Sequence, residues 1–404
     1  MVPKGWKKGL VSDLADTVMG YAFKSNDFVK KGIPLVRMGN LYQNQFQLDR
    51  SPIYLPDDFA TEYKRFLLQS GDLVMSMTGT MGKRDYGFAV EIPENTQDCL
   101  LNQRVLKIEP RNSDAKGFVL NVLKSEIFLS KLYSLPGGTK QANLSATQIR
   151  EISVLIPPLP EQQKIAKILS TWDKAISMTE RLIDNSTQQK KALMQQLLTG
   201  KKRLLDDEGK RFAGEWEEVK LSKWLVEYKE KSTVQDQYDV YTSSRNGLVL
   251  QSVYFANSRI AGRDNIGFHV IPPNHITYRS RSDDGFFTFN LFSNDKNGLI
   301  SNYYPVFSTK GSNEFFIALF EQYRATFGRY SVGTSQKVLS LNALKDILFK
   351  IPSIPEQRKI ATVLTNTDKE IELLEQQLAD LQQEKKALMQ VLLTGKKRVV
   401  VDNV

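Results

Sequence analysis

Apolar residues recur at alternating steps of four and three along two stretches of the chain. The first runs through Ile165, Leu169, Trp172, Ile176, Thr179, Ile183, Ser186, Lys190, Leu193 and Leu197. The second runs through Ile360, Leu364, Thr367, Ile371, Leu374, Leu378, Leu381, Lys385, Leu388 and Leu392. This is a heptad seam, mostly apolar, which predicts two long helices of coiled-coil type. No Gly or Pro interrupts either seam. Pro160 and Pro355 suit a first helical turn, and Gly200 and Gly395 suit a helix stop, each followed by Lys-Lys-Arg. About 38 helical residues span roughly 57 Å. A helix of that length with one apolar stripe needs a partner, and the nearest is its own duplicate. Because the chain must return through the segment between them, an antiparallel intrachain pair is expected. The seam lysines Lys190 and Lys385 would then help fix its register.

The two stretches are copies of each other. Residues 160–203 and 355–398 align without a gap and are identical at 25 of 44 positions. Pro160-Glu161-Gln162 returns as Pro355-Glu356-Gln357, and KKALMQQLLTGKKR (190–203) as KKALMQVLLTGKKR (385–398). The register extends backwards, with Gly138-Thr139-x-Gln141-x-x-Leu144-Ser145 matching Gly333-Thr334-x-Gln336-x-x-Leu339-Ser340. A seam needs apolar character, not identical exposed ends. The near-identity therefore points to an outside partner that recognises both copies, or to recent divergence.

The segments ahead of the copies are not obviously alike, apart from a faint echo of Gly5-Trp6 in Glu215-Trp216. Both read as mixed α/β. Strands are expected over 33–38, 72–77, 87–92 and 103–108, then 249–255, 275–278, 286–292 and 303–308. Helices are expected over 118–133 and 314–327, and short ones capped by Ser145 and Ser340. The fold class is α+β: two recognition-type domains, 1–159 and 204–354, separated by helical segments 160–203 and 355–404 that form an antiparallel coiled coil with pseudo-twofold symmetry.

Composition bounds the function. Of 404 residues, 41% are hydrophobic and 25% charged, enough for ordinary cores and unlike a disordered tail. No apolar run is long enough to span a membrane, and the first ten residues lack a secretory core. One cysteine, Cys99, excludes an internal disulfide and suits the reducing cytoplasm. The net charge of +10 permits a polyanionic partner. Neither large segment is strongly basic, so nucleic-acid contact would rest on local patches.

Such patches are offered by loops that mix Gly, amides and cations. In the first segment the candidates are Arg37 and Asn40, then Thr80, Lys83 and Arg84, then Lys140 and Gln141. In the second they are Arg245 and Asn246, Arg259 and Arg263, Arg279 and Arg281, and Gln336 and Lys337. Arg grips guanine edges bidentately, Asn and Gln read adenine, and Lys holds phosphates. Any one of these is ordinarily a solvated surface group. The set, repeated in two domains, is what points to nucleic acid.

Catalytic signatures are missing. There is no Gly-rich nucleotide loop, and Ile271-Pro272-Pro273-Asn274 has the wrong order for a base-methylation motif. Thr199-Gly200-Lys201-Lys202 lacks the upstream glycine of a phosphate-binding loop. Two histidines, His269 and His275, with one cysteine make a zinc site improbable. Asp283-Asp284 and Asp206-Asp207-Glu208 read as turn and linker residues.

Two variable domains alternating with near-identical helices, which open on Pro-x-x-Pro-Glu-Gln and close on Leu-Leu-Thr-Gly-Lys-Lys-Arg, resemble the specificity subunit of type I restriction–modification systems. Gly5-Trp6, Asn102-Gln103-Arg104-Val105 and the Gly-Thr-x-Gln-x-x-Leu-Ser element look like that family's target recognition domains. The resemblance implies sequence-specific binding of a bipartite target in double-stranded DNA, with the helices as a ruler for the gap. It implies two modification (adenine methyltransferase) subunits docked on the helices, and possible restriction subunits. The chain itself would be non-catalytic and bind no cofactor directly. S-adenosylmethionine, and ATP with Mg for restriction, would come with the partners. The competing readings are a coiled-coil scaffold without DNA contact, and a methyltransferase or nuclease with an unrecognised site.

Overall fold

Two helices of 39 residues each, Leu159–Leu197 and Ile354–Leu392, form where the heptad pattern places them. Each has its proline in the first turn, and each is followed by a glycine at positive φ, Gly200 at +71° and Gly395 at +66°. Gly395 has no substitute: a Cβ there would lie 2.4 Å from Pro3 Cγ. A computed structural model of the chain describes residues 2–135, 140–244, 247–255 and 264–401. By contact the chain divides into Met1–Glu180 with Gln376–Val404, and Arg181–Glu375. These units cut each long helix, so each contains one variable domain, the opening part of one helix and the closing part of the other.

In the first unit, an antiparallel sheet has spatial order Ala15–Met19, Val105–Pro110, Leu73–Ser76, Ala89–Glu91. A second sheet has order Tyr54–Leu55, Ile33–Val36, Cys99–Leu101, Leu67–Leu68, with its two middle strands parallel. Two strand pairs complete it: Lys7–Leu10 with Ser153–Ile156, and Thr78–Thr80 with Gln141–Asn143. The expected helix over 118–133 is broken in two, Lys116–Lys124 and Glu126–Tyr133. Ser125 causes the break: its backbone is extended, and its hydroxyl caps the second helix by accepting from Phe128 N. Phe118, Val119 and Leu123 pack in the main core together with Ile165, Leu169, Leu392 and Leu393 from the long helices.

The second unit repeats this plan strand for strand. Its antiparallel sheet has order Leu225–Tyr228, Val306–Thr309, Ile276–Tyr278, Phe289–Leu291. Its second sheet has order Gly247–Leu250, Val240–Ser244, Gly298–Ile300, His269–Ile271, again with a parallel middle pair. Glu217–Lys220 pairs with Leu348–Ile351, and Arg281–Ser282 with Lys337–Val338. The strand expected over 249–255 ends at Leu250 and turns into a short helix, Gln251–Tyr254. The helix Asn313–Gln322 covers the sheet with Phe315, Phe316, Leu319 and Phe320, all fully buried. Leu197, Ile360 and Leu364 of the long helices join this core. The variable segments therefore share one topology that their sequences conceal.

The helix pairing is antiparallel within each unit. In the first, Lys385 Nζ meets Asp173 Oδ1 at 2.5 Å, and Arg398 reaches Glu161. In the second, Lys190 pairs with Asp368, and Arg203 with Glu356. Moving forward along one helix moves backward along the other. The ends of the seam, Ile165, Leu169, Leu197, Ile360, Leu364 and Leu392, are buried because domain cores cover them. Trp172, Ile176, Leu193, Ile371, Leu374 and Leu388 are half-buried, as a two-helix contact leaves them.

Candidate nucleic-acid interface

In the first unit, single backbone hydrogen bonds stitch four loops into one edge. Asn102 N donates to Val36 O at 3.1 Å, beside Arg37. Met77 N donates to Arg104 O at 3.1 Å, and Leu144 N to Met77 O at 3.1 Å. Antiparallel pairing then sets Thr80 opposite Gln141, and Met81 N donates to Lys140 O at 3.2 Å. The fold thus brings Thr80, Lys83, Lys140 and Gln141 together, all exposed. Gly138 and Thr139 of the same motif lie outside the described residues.

The turn from Thr80 to Asp85 is held from inside. Asp85 Oδ1 accepts Thr80 N at 2.7 Å, and Lys83 N donates to Thr80 O at 3.0 Å. Burial pushes the Asp85 carboxyl up, but hydrogen bonds from Thr80 and the charge of Lys83 outweigh it and hold the carboxyl below its usual range. Arg84, exposed on the same turn, pairs with Glu126 at 2.6 Å and lies 5.3 Å over the Tyr133 ring.

The expectation for Asn40 is corrected. Its side chain is buried, Oδ1 accepts Arg37 N at 2.9 Å, and Nδ2 donates to Gln47 O and Arg50 O at 2.8 and 3.1 Å. An amide engaged at both ends inside its own loop shapes that loop and is not free to read a base. Arg37 stays partly exposed on the far side of this bond.

The second unit builds the same edge. Leu339 N donates to Ser280 O at 2.9 Å, the counterpart of Leu144 on Met77. Pairing sets Arg281 opposite Val338 and Ser282 opposite Lys337. Gln336 Nε2 donates to Asp283 Oδ1 at 3.3 Å. Arg279 and Arg281 are exposed, and Gln336 and Lys337 half-exposed. Arg245, Asn246, Arg259 and Arg263 lie outside the described residues.

Residues that the sequence reading did not single out as contacts sit on the same edges. The turn Asn102–Val105, closed by Val105 N on Asn102 O at 2.9 Å, corresponds to Ser301–Tyr304, closed by Tyr304 N on Ser301 O at 2.9 Å. Gln103 and Arg104 are exposed on the first turn, and Asn302 and Tyr303 on the second. The signal was present in the Asn-Gln-Arg-Val run, but nothing in sequence joined it to Thr78–Thr80.

In each unit a buried carboxylate ties the start of one long helix to the end of the other. Arg398 donates to Glu161 through Nε and Nη2 at 2.9 and 2.5 Å and to Lys4 O through Nη1 at 2.7 Å; Trp6 Nε1 donates to the same carboxylate at 3.1 Å. The second unit matches it: Arg203 binds Glu356 at 2.5 and 2.7 Å and Gly214 O at 2.8 Å, with Trp216 Nε1 at 3.3 Å. Gln162 and Gln357 donate to Pro157 O and Pro352 O at 2.8 and 2.9 Å. Part of the identity at the helix ends, that of Glu161 with Glu356 and of Arg203 with Arg398, therefore has an internal cause: these residues clasp the helix ends together.

Among the described residues no cluster of His, Cys, Asp and Glu is arranged to hold a metal ion, and no helix is long and apolar enough to cross a membrane.

The model of the "Type I restriction modification DNA specificity domain" family matches the chain twice, over residues 3–186 and 214–383. The type I restriction enzyme MjaVIII specificity subunit of Methanocaldococcus jannaschii is 27% identical over 50% of this chain, which spans about half of that relative, 48%. A second protein of that organism, provisionally named the type I restriction enzyme MjaX specificity subunit, is 22% identical over 98% of this chain and 95% of its own length. The crystal structure of a type I restriction–modification system S subunit from M. genitalium shares the fold, with TM-score 0.59 and 15% identity, over 97% of this chain and 96% of the other.

Proposed function

Because the chain belongs to the type I restriction–modification DNA specificity family, we propose that each of its two units reads one half of a bipartite target in duplex DNA. The observation that carries this is the loop edge built twice, once in each stretch that the family model matches, from different side chains on the same backbone scheme. The first edge presents Thr80, Lys83, Lys140 and Gln141, and the second Arg279, Arg281, Gln336 and Lys337. The shared backbone positions the contacts, while the side chains differ as they must where two half-sites differ.

The chain carries no catalytic step in this reading. Adenine methylation, with S-adenosylmethionine, belongs to two modification subunits that dock on the long helices; cleavage, with ATP and Mg, belongs to restriction subunits where present. Apolar residues exposed off the helix seam support docking there: Met178 in the first unit, Leu182 and Leu373 in the second. In this reading the long helices act as the ruler for the gap between half-sites, as the family resemblance implies.

Methylome sequencing of cells carrying the system, with and without this gene, tests the proposal. A bipartite methyladenine motif should vanish with the gene. Inserting one helical turn, about four residues, between Ser186 and Lys190 should change the tolerated gap or abolish methylation. An unchanged motif in both experiments would refute the reading.

A further inference from the structure

The second unit's loop edge holds an arginine already posed. The Arg281 guanidinium lies over the Tyr303 ring, 5.0 Å from its centroid. Tyr303 is 64% exposed at the corner of the Ser301–Tyr304 turn. Both backbones are fixed. Ser280 Oγ donates to Tyr303 O at 2.7 Å, which ties the turn to the residue just before Arg281. Arg281 itself is in register with Val338. Among the described residues no carboxylate pairs with Arg281, whereas Arg84, which rests on Tyr133, is taken up by Glu126.

One strand further, Val332 is 70% exposed, and its backbone exchanges hydrogen bonds of 3.0 and 2.8 Å with Val338. The edge therefore offers a planar cation, an aromatic face and a methyl-bearing side chain side by side. A guanidinium lying on a ring uses its face for that contact and leaves its N–H donors free in the plane. Two parallel donors in a plane match the O6 and N7 acceptors of guanine in the major groove. An arginine held in one pose also loses less freedom when it binds than one that searches for it.

We propose that Tyr303 is a specificity-determining positioning residue: it holds the Arg281 fork in the pose that reads a guanine in the half-site of the second unit. This rests on the proposed reading of duplex DNA by each unit. In the first unit the corresponding turn position is Arg104 and the corresponding strand position is Thr78, which is buried. An arginine–tyrosine pair at these two positions is thus absent from the first unit, where Arg50 and Arg84 rest on Tyr42 and Tyr133 instead.

The test is selection from a random-sequence duplex DNA library by the full chain assembled with its methyltransferase subunits, followed by sequencing of the bound pool. The wild-type chain should return a bipartite motif; no motif at all would defeat the DNA-reading proposal itself, separately from this one. With that motif in hand, Tyr303→Ala and Arg281→Ala should both make one guanine position of one half-site degenerate, cutting preference there by roughly tenfold or more, and leave the other half-site intact. Tyr303→Ala should weaken binding to the wild-type motif by about three- to tenfold. Tyr303→Phe, which keeps the ring, should restore the guanine preference. Should Tyr303→Ala fail to fold, Tyr303→Leu keeps apolar bulk without the ring face and should show the same degeneracy. The inference is overturned if the ring-less variants keep the full motif while Arg281→Ala loses the guanine, or if their loss falls equally on both half-sites.

Discussion

Arg398, beyond the end of the second long helix, grips Glu161 in the first turn of the first helix through two parallel N–H···O bonds of 2.9 and 2.5 Å. Arg203 and Glu356 form the same fork at 2.5 and 2.7 Å. Each carboxylate also accepts a tryptophan N–H, so a bidentate, hydrogen-bonded ion pair joins the long-helix ends in each unit. Removing one member of a buried pair leaves the other charge without its partner. The Glu161 side chain is only 6% exposed but Arg398 is 40% exposed, so water relieves part of the cost. Glu161→Ala should therefore destabilise the first unit by about 2–3 kcal/mol, below the usual range for fully buried pairs. Arg398→Lys should destabilise the first unit as well, because an ammonium lacks the fork. Hydrogen exchange provides the check: Glu161→Ala should loosen the strands of the first unit and Glu356→Ala those of the second.

The lysines that break the apolar seam are a weaker device. Lys385 meets Asp173, and Lys190 meets Asp368, across the antiparallel pair, and both aspartates are about half exposed. Such pairs contribute on the order of 1 kcal/mol or less. Lys385→Ala should lower the thermal midpoint by only a degree or two, since the charges fix register more than they hold the helices together. The charge swap Lys385→Asp with Asp173→Lys should recover the midpoint, whereas Lys385→Asp alone should reduce it further. Equal midpoints for the single and double variants would show that the pair carries no register information.

Much of this architecture is legible in the sequence, and the reason is physical. The long helices repeat one period for many turns, and their stops are glycines whose positive φ only glycine readily adopts. The clasp was visible as identical residues, Glu161 with Glu356 and Arg203 with Arg398, but its cause was not, because partners in one fork are far apart along the chain. The likeness of the variable domains was hidden for another reason. A strand such as Ile276–Tyr278 needs to be apolar and short, and many sequences satisfy that. Asn40 misled because an exposed amide and a buried loop-shaping amide look alike in one dimension. The Phe118–Tyr133 helix was read as continuous because its spacing survives the Ser125 break.

The turn that presents Lys83 depends on one carboxylate. Asp85 Oδ1 holds Thr80 N, and a Cβ on Gly79 would sit 2.4 Å from that same oxygen and 2.6 Å from Tyr86. Gly79→Ala should therefore cost about 1–3 kcal/mol through overpacking. The Asp85 carboxyl is held below its usual range in the folded chain. The stability it contributes is then present above about pH 3.9, the ordinary value for aspartate, and is lost as the pH falls through the lower folded value. Asp85→Asn should be less stable than the wild type at pH 6, and the gap should narrow as the pH falls below the ordinary aspartate value. A gap that stays constant over this range would mean that the carboxylate charge does not hold the turn.

Phosphate contacts and base contacts differ in their response to salt, and this separates roles along the first edge. Lys83 is exposed and carries a point charge, suited to a phosphate, while Gln141 is fixed opposite Thr80 by strand pairing and suited to a base edge. Neutralising one phosphate contact removes about one unit from the slope of log affinity against log salt. Lys83→Ala should therefore flatten the slope by about one and weaken binding to all sequences alike. Gln141→Ala should leave the slope unchanged and relax preference at one position of one half-site. Arg84→Ala should do neither to a comparable extent, because Glu126 and Tyr133 already engage the guanidinium. Binding isotherms over a salt series, on cognate and scrambled duplexes, measure all three. A large slope change for Arg84→Ala, with none for Lys83→Ala, would reverse the assignment.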